Sequence, residues 1–221
     1  MGTEGDPSTS RLGESWYHFA PRNIVGNLRE AWEYEAARLA RAGKPWHSPE
    51  NAFVLWAAHT AAPAAAVAGA FGAPGLAALA LQAGAAIFAL QLADYVEHYG
   101  LERGRDAAGR PRAKVQPWDS WNADWIATNC TIMSLQRHSH HHAQASRGYH
   151  RLASVPHAPQ LPMSYPAMFI LALAPPLFFR VMNPRVLAQR ELNGRLADAG
   201  GGAADEGAAD EGAADEGAAE P

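Results

Sequence analysis

Two uncharged apolar stretches, only four residues apart, constrain this chain more than any other feature. Residues 51–71, NAFVLWAAHTAAPAAAVAGAF, contain no Asp, Glu, Lys or Arg, and neither do residues 76–93, LAALALQAGAAIFALQLA. A helix needs about 20 apolar residues to cross a hydrocarbon core, and each stretch is long enough. GAPG at 72–75 is a turn signal. The pattern predicts a transmembrane hairpin over residues 51–97. Both stretches are rich in Ala rather than Leu or Ile, so the competing reading is a helical hairpin buried in a soluble core. The flanks favour the membrane. Residues 1–50 hold six Lys and Arg, the turn holds none, and residues 98–160 hold eight. Lys and Arg are retained in cytoplasmic loops, which puts both ends of the hairpin on that side. His59 falls mid-span and is read as an interior, hydrogen-bonded histidine, not a ligand.

The rest of the chain divides around the hairpin. Residues 1–50 are read as a cytoplasmic loop and an amphipathic helix. The helix is expected over about Asn23–Arg41, where Ile24, Leu28, Ala31, Trp32, Glu35 and Leu39 trace an apolar stripe broken by one carboxylate. Residues 98–187 are read as a cytoplasmic cap. Within it Asp119 or Ser120 caps a helix that carries Trp118, Trp121 and Trp125 on one face. Residues 166–179, PAMFILALAPPLFF, are too short and Pro-rich to span and suit an interfacial or re-entrant segment. NPRV at 183–186 closes the ordered part. Residues 188–221 are assigned to a tail, which ends in AADEG repeats and is too polar to bury a core. Residues 203–221 hold seven of the 22 acidic residues against no basic one, so the body alone is mildly basic. The fold class expected is all-α: an integral membrane protein with two transmembrane helices, a cytoplasmic histidine-bearing helix and an interfacial apolar segment.

The chemistry is concentrated in Arg137–His142, RHSHHH. On a helix His138, His141 and His142 stand at i, i+3 and i+4 and share a face, while His140 points the other way. Neutral imidazole is the commonest metal ligand of proteins. The competing reading is a solvated helix with clustered histidines. His98 lies at the cytoplasmic end of the second span, and Asp94, one turn earlier, is placed to orient its ring. Gly100 is expected to end that helix. His150 and His157 follow in a loop and are read as peripheral. Cys130 is the single cysteine, which excludes an internal disulfide framework and any Cys-x-x-Cys iron or zinc module in this chain. MGTEGDPSTSR at the start is polar and gives no secretory signal.

Several of these strings resemble the membrane alkane 1-monooxygenases, a di-iron hydroxylase family that also includes xylene monooxygenase. DYVEHYGL at 94–101 resembles the family's EHYG segment, and LQRHSHHHA at 135–143 resembles its last histidine box, LQRHSDHHA. QPWDSWNAD at 116–124, PQLPMSYPAMF to VMNPRV at 159–186, and DPSTSRLGESWYHFAPRNIVGNLREAWEYEAARL at 6–39 are similar as well. The resemblance implies His98, His138, His141 and His142 as iron ligands, with Asp94, Glu97 and Asp119 as carboxylates behind them. It implies a non-haem di-iron centre, O2-dependent hydroxylation of medium-chain alkanes, and electrons from rubredoxin and its reductase. A bacterial inner membrane follows as the location, multi-pass, with the metal site on the cytoplasmic side.

Three departures qualify that expectation. The family carries two further histidine boxes, H-E-x-x-H and E-H-x-x-G-H-H, upstream of the matched region, and neither occurs here. The chain is therefore expected to be a C-terminal portion. His140 stands where the family has Asp, and Asp119 where it often has His. The alternatives are a non-catalytic, membrane-anchored metal-binding remnant, or a fatty-acid desaturase or sterol-type hydroxylase, against which the EHYG and LQRHS strings argue. Membrane lipid and an apolar substrate are the expected partners, a homo-oligomer that pools histidines is compatible with the ligand count, and no nucleic acid is expected.

Overall fold

The computed structural model describes residues 2–3, 5–104, 115–156 and 158–199, without the side chains of 196–199. His157, most of the basic loop and the AADEG repeats lie outside the described residues. The elements are helical in order: α1 Trp16–Arg41, α2 Ala52–His98, α3 Ile126–Thr131, α4 His138–Ala143, α5 Tyr165–Ala172 and α6 Pro175–Ala199, with a 3-10 turn at Tyr149–Arg151. One isolated parallel bridge joins Asn122 to Gln160, and the described residues form no strand.

Helix α1 begins seven residues before the periodic segment read from the sequence and ends where Gly43, at φ 67°, takes the left-handed conformation that lets the chain leave a helix. There the Lys44 amide donates to Leu39 O at 2.9 Å and the Gly43 amide to Ala40 O at 3.0 Å, which satisfies carbonyls the helix leaves open. The face it buries shares only Glu35 and Leu39 with the apolar stripe. Phe19, Asn23, Glu35 and Leu39 are buried, while Ile24, Leu28 and Trp32 remain exposed.

Glu35, the carboxylate that interrupts the stripe, has a structural use. Its Oε1 accepts the Ala52 amide at 2.7 Å, and it pairs with Arg38 at 2.7 Å. A carboxylate there answers the positive end of the next helix. The Asn51 side chain accepts the Phe53 amide at 2.8 Å and completes the cap. The Arg38 partner, followed by the Ala52 amide, holds the Glu35 carboxyl down to about 2.

Helix α2 is long and apolar enough to cross a membrane. It is not straight. Gly72 leaves helical geometry at φ 63°, ψ −153°, and a Cβ placed on Gly75 would lie 3.0 Å from Val67 Cγ1, eight residues earlier. Helix α1 measures how far the element turns. Trp16 meets Phe88 edge to face and Asn23 reaches Asp94, while Trp32 meets Phe53 edge to face and Glu35 caps Ala52. Asn23 and Glu35 are about 18 Å apart along α1, whereas an unbroken helix would separate residues 52 and 94 by about 60 Å. The two ends of α2 are thus brought to one helix, and the chain folds back near the GAPG turn. From Val54 to Leu90 almost every residue is exposed.

The core sits at the far end of α2. Tyr95, Val96 and Tyr99 pack with Phe19 of α1, Met168 and Ala172 of α5, and Phe178, Met182 and Val186 of α6. Phe178 lies 5.1 Å from the Tyr95 ring and 4.7 Å from the Tyr99 ring. This packing corrects one expectation. NPRV does not close the ordered part: α6 passes through Pro184 and runs to Ala199. Phe178, Met182 and Val186 recur every four residues, all fully buried, and that buried face outweighs the lost backbone hydrogen bond at proline. The expected interfacial segment is accordingly divided between α5 and the first turn of α6.

Candidate metal centre

The expected single helix leading into the histidines is also corrected. Trp118 and Trp121 lie in irregular chain, Trp125 precedes α3, and neither Asp119 nor Ser120 caps a helix. The three tryptophans therefore form no common stripe. Trp121 is buried, with its Nε1 donating to Tyr99 O at 2.8 Å and its backbone amide to Glu97 O at 2.8 Å. These bonds satisfy carbonyls at the open end of α2 and fix the 118–123 segment against it. Between α3 and α4 the chain turns through Met133 at φ 53° and Ser134 at φ 58°, a left-handed pair that a continuous helix does not admit.

Helix α4 has six residues and is held from both sides. Asn122 Oδ1 accepts the Ser139 amide at 2.9 Å, and its side-chain nitrogen donates to Ser139 Oγ at 2.6 Å. On the other side the Ala153 amide donates to His140 Nδ1 at 2.8 Å, and Arg137 donates to Leu152 O at 2.5 Å. His140 is thus buried away from the other histidines, as its helical phase predicts, and it ties α4 to the following loop.

This bracing brings His138 and His142 against His98 at the end of α2. His138 Nε2 is 3.1 Å from His98 Nε2 and 2.7 Å from His142 Nε2. Ligand atoms of all three residues lie within 4.8 Å of one another. His98 Nδ1 is 2.7 Å from Asp94 Oδ1. A carboxylate only accepts, so the proton belongs on Nδ1 and leaves the Nε2 lone pair facing the other rings. Burial first, and neighbouring imidazoles second, press the His138 pKa well below its ordinary value and hold His142 down to about 4. Both rings are therefore neutral at pH 7, as ligands must be.

The residues fit a cation. Two imidazoles bound to one metal at about 2.1 Å and at a right angle stand about 3 Å apart, which is the spacing seen here. Glu97 adds a buried carboxyl group: its Oε2 lies 3.3 Å from His138 Nε2. A buried carboxylate beside neutral rings is costly unless a positive charge answers it.

Not every expected residue joins the group. His141 is half-buried, its ring centre 5.9 Å from that of His138 and 5.6 Å from that of His142, and it lies outside the close trio. Asp119 is buried and accepts the Gln116 amide at 2.7 Å. His59, expected in the interior, is instead exposed on α2 because almost all of that helix is, and it keeps the expected hydrogen bond with Nδ1 2.8 Å from Leu55 O one turn back. His150 is exposed on the 3-10 turn. Asn23 and Asn122 were not foreseen. Their types are common in loops and caps, and only tertiary contact gives them a place near the site.

The fold and the cluster define a class: a helical protein with a long apolar element whose end carries a buried group of imidazoles and carboxylates. The chain belongs to the fatty acid desaturase family, whose sequence profile matches residues 1–172. Among its relatives it is 41% identical over 191 residues to alkane 1-monooxygenase 2 of Alcanivorax borkumensis, covering 86% of this chain and 50% of that protein. It is 38% identical over 184 residues to alkane 1-monooxygenase of Acinetobacter baylyi, covering 83% and 45%. The xylene/toluene monooxygenase hydroxylase component of Pseudomonas putida is 27% identical over 186 residues, covering 82% and 47%. The chain spans about half the length of these curated relatives. The resemblance drawn from the EHYG and LQRHS strings is thereby met by named relatives, and the family implies non-haem iron.

Proposed function

We propose that this chain supplies imidazole ligands to a non-haem di-iron centre that hydroxylates the terminal carbon of medium-chain alkanes. The observation that carries the proposal is the convergence of His98, His138 and His142 on one point, with Asp94 behind His98 and Glu97 against His138. His98, His138 and His142 would hold one metal, and His141 would face a second. Iron bound there supplies the O2 activation that no side chain can provide for an unactivated C–H bond.

The chain's own groups do the rest. Asp94 keeps the His98 proton on Nδ1. Burial keeps His138 and His142 neutral. Glu97 places a carboxyl group beside His138, where a bound cation would favour its charged form, and the Tyr165 hydroxyl from the start of α5 lies next to it. The exposed apolar sides of α2 suit lipid and an alkane arriving through it. We assign residues 51–97 to a two-span hairpin in the bacterial inner membrane, with residues 1–50 and the 98–187 cap on the cytoplasmic side; α6 continues past that cap to Ala199. The reversal near Gly72 and the charge distribution support this. Electrons are assigned to rubredoxin served by its reductase, since the one cysteine among these residues cannot build a cysteine-ligated iron site.

A chimera tests the function. Residues 6–187 replace the matching region of the Alcanivorax borkumensis relative, and membranes receive rubredoxin, its reductase and octane. Octanol should form, and His98→Ala or His138→Ala should abolish it without loss of the protein from the membrane. A well-inserted chimera that makes no octanol would refute the assignment.

A further inference from the structure

The proposed metal site leaves open what holds Asp94, which is partly buried and sits at the edge of the apolar element. The answer lies on α1. Asn23 is 1% exposed, and its amide nitrogen donates to Asp94 Oδ2 at 2.5 Å and to Gln91 Oε1 at 2.9 Å. Its oxygen accepts from Ser8 Oγ at 3.2 Å and from the Asn27 side chain. The other Asp94 oxygen meets His98 Nδ1. Each carboxylate oxygen thus has one fixed partner, one from α1 and one from the imidazole.

We propose that Asn23 is a positioning residue for His98: by fixing the Asp94 carboxylate it holds the imidazole as the Nδ1–H tautomer with Nε2 turned toward His138 and His142. The physical reason is geometric. A carboxylate on one short side chain rotates about its last bond, and a single hydrogen bond to the ring does not stop it. A second bond from a buried amide does. Groups behind a ligand that set its tautomer in this way typically alter metal affinity 10–100-fold. Asn23 acts one step further out, and its removal should cost about tenfold, the lower end of that range. An asparagine amide carries no charge, so it orients the carboxylate without cancelling the negative charge that the imidazole sees. The link also ties α1, the helix that reaches both ends of α2, to the metal site.

The inference rests on the reading of the trio as a metal site, and two readouts separate the two ideas. The chain of residues 1–221, 15N-labelled at histidine in detergent, reports the His98 tautomer without any metal, and Co2+ competition against a chelator reports affinity. Asn23→Ala should mix the His98 tautomers and weaken Co2+ about tenfold. In an Asp94→Ala background, where the link is already cut, the same substitution should add nothing. Gln91→Ala removes the other acceptor of Asn23 and should change neither readout. Asn23→Ser, which keeps a polar group but does not reach Asp94, replaces the alanine variant if that variant fails to fold. A His98 tautomer unchanged by Asn23→Ala overturns the proposal. So does an equal loss of affinity with and without Asp94, or a Gln91→Ala variant that behaves like Asn23→Ala. If the wild type binds no Co2+ while the tautomer still responds to Asn23→Ala, the metal reading fails and the positioning role stands.

Discussion

Gly100, two residues beyond His98, offers a quantitative check on how the end of α2 is built. Its φ is +68°, and a Cβ at this position would lie 2.7 Å and 2.9 Å from the two methyl carbons of Val186 on α6. The backbone has no room to retreat. Its amide donates to Ser10 O at 2.8 Å, and its carbonyl accepts from Arg190 Nε at 2.7 Å. In Gly100→Ala the left-handed conformation costs about 1–2 kcal/mol. Forcing a methyl group into a packed contact costs about 1–3 kcal/mol more. The loss should therefore be about 3 kcal/mol, a large share of the roughly 5–15 kcal/mol that holds a typical domain together. Denaturant unfolding in detergent, followed by tryptophan fluorescence, measures it. Val186→Ala should relieve the steric part and leave the conformational part, so the double variant should be more stable than the sum of the two single losses by about 1–3 kcal/mol. A loss below about 0.5 kcal/mol for Gly100→Ala, or additive effects in the double variant, would show that α6 does not seat on Gly100 as described.

Other perturbations test other parts of the account. The Glu35 carboxyl is held down to about 2, against an ordinary value of 4.5, so its contribution to stability is full above pH 4.5 and is lost as pH falls through about 2. Glu35→Gln should lower stability at pH 7 and flatten the acid side of the stability curve between those values, and an unchanged curve would remove Glu35 from the cap of α2. His140→Ala should leave metal affinity within about tenfold of wild type, because its ring bonds the Ala153 amide, while His138→Ala should lose more than that. Equal losses would refute the division of labour within α4. A cysteine placed within residues 72–75, in a Cys130→Ser background, should react with an impermeant thiol reagent from the periplasmic side of membrane vesicles. Reaction from the cytoplasmic side alone would refute the proposed topology.

How much of this was legible in the sequence depended on the range of the interactions involved. The apolar stretches and the GAPG turn could be read because span length and backbone permissiveness are local properties. His138 and His142 could be paired because four residues make one helical turn, and Asp94 could be set behind His98 for the same reason. Local phase failed at His141. Its ring stays half-buried, 5.9 Å from that of His138, and lies outside the close trio although it shares their helical face. It failed again at Met133 and Ser134, where residues of ordinary helical type take left-handed angles because the chain must turn between α3 and α4. Glu35 looked like a flaw in an apolar stripe, since its partner, the Ala52 amide, belongs to the next helix. Asn23 was hidden for a similar reason: its acceptor Asp94 is 71 residues away. Pro184 read as a terminator, and only the burial of Met182 and Val186 explains why α6 continues past it.

The central claim is that His98, His138 and His142 bind metal together, and Co2+ spectroscopy on the purified chain tests it most directly. Wild type should give the visible absorption of Co2+ in a nitrogen-rich site. Alanine at any one of the three histidines should weaken binding more than tenfold, and alanine at His59 or His150 should not. Binding that survives loss of all three, or that never develops in the wild type, would contradict the account.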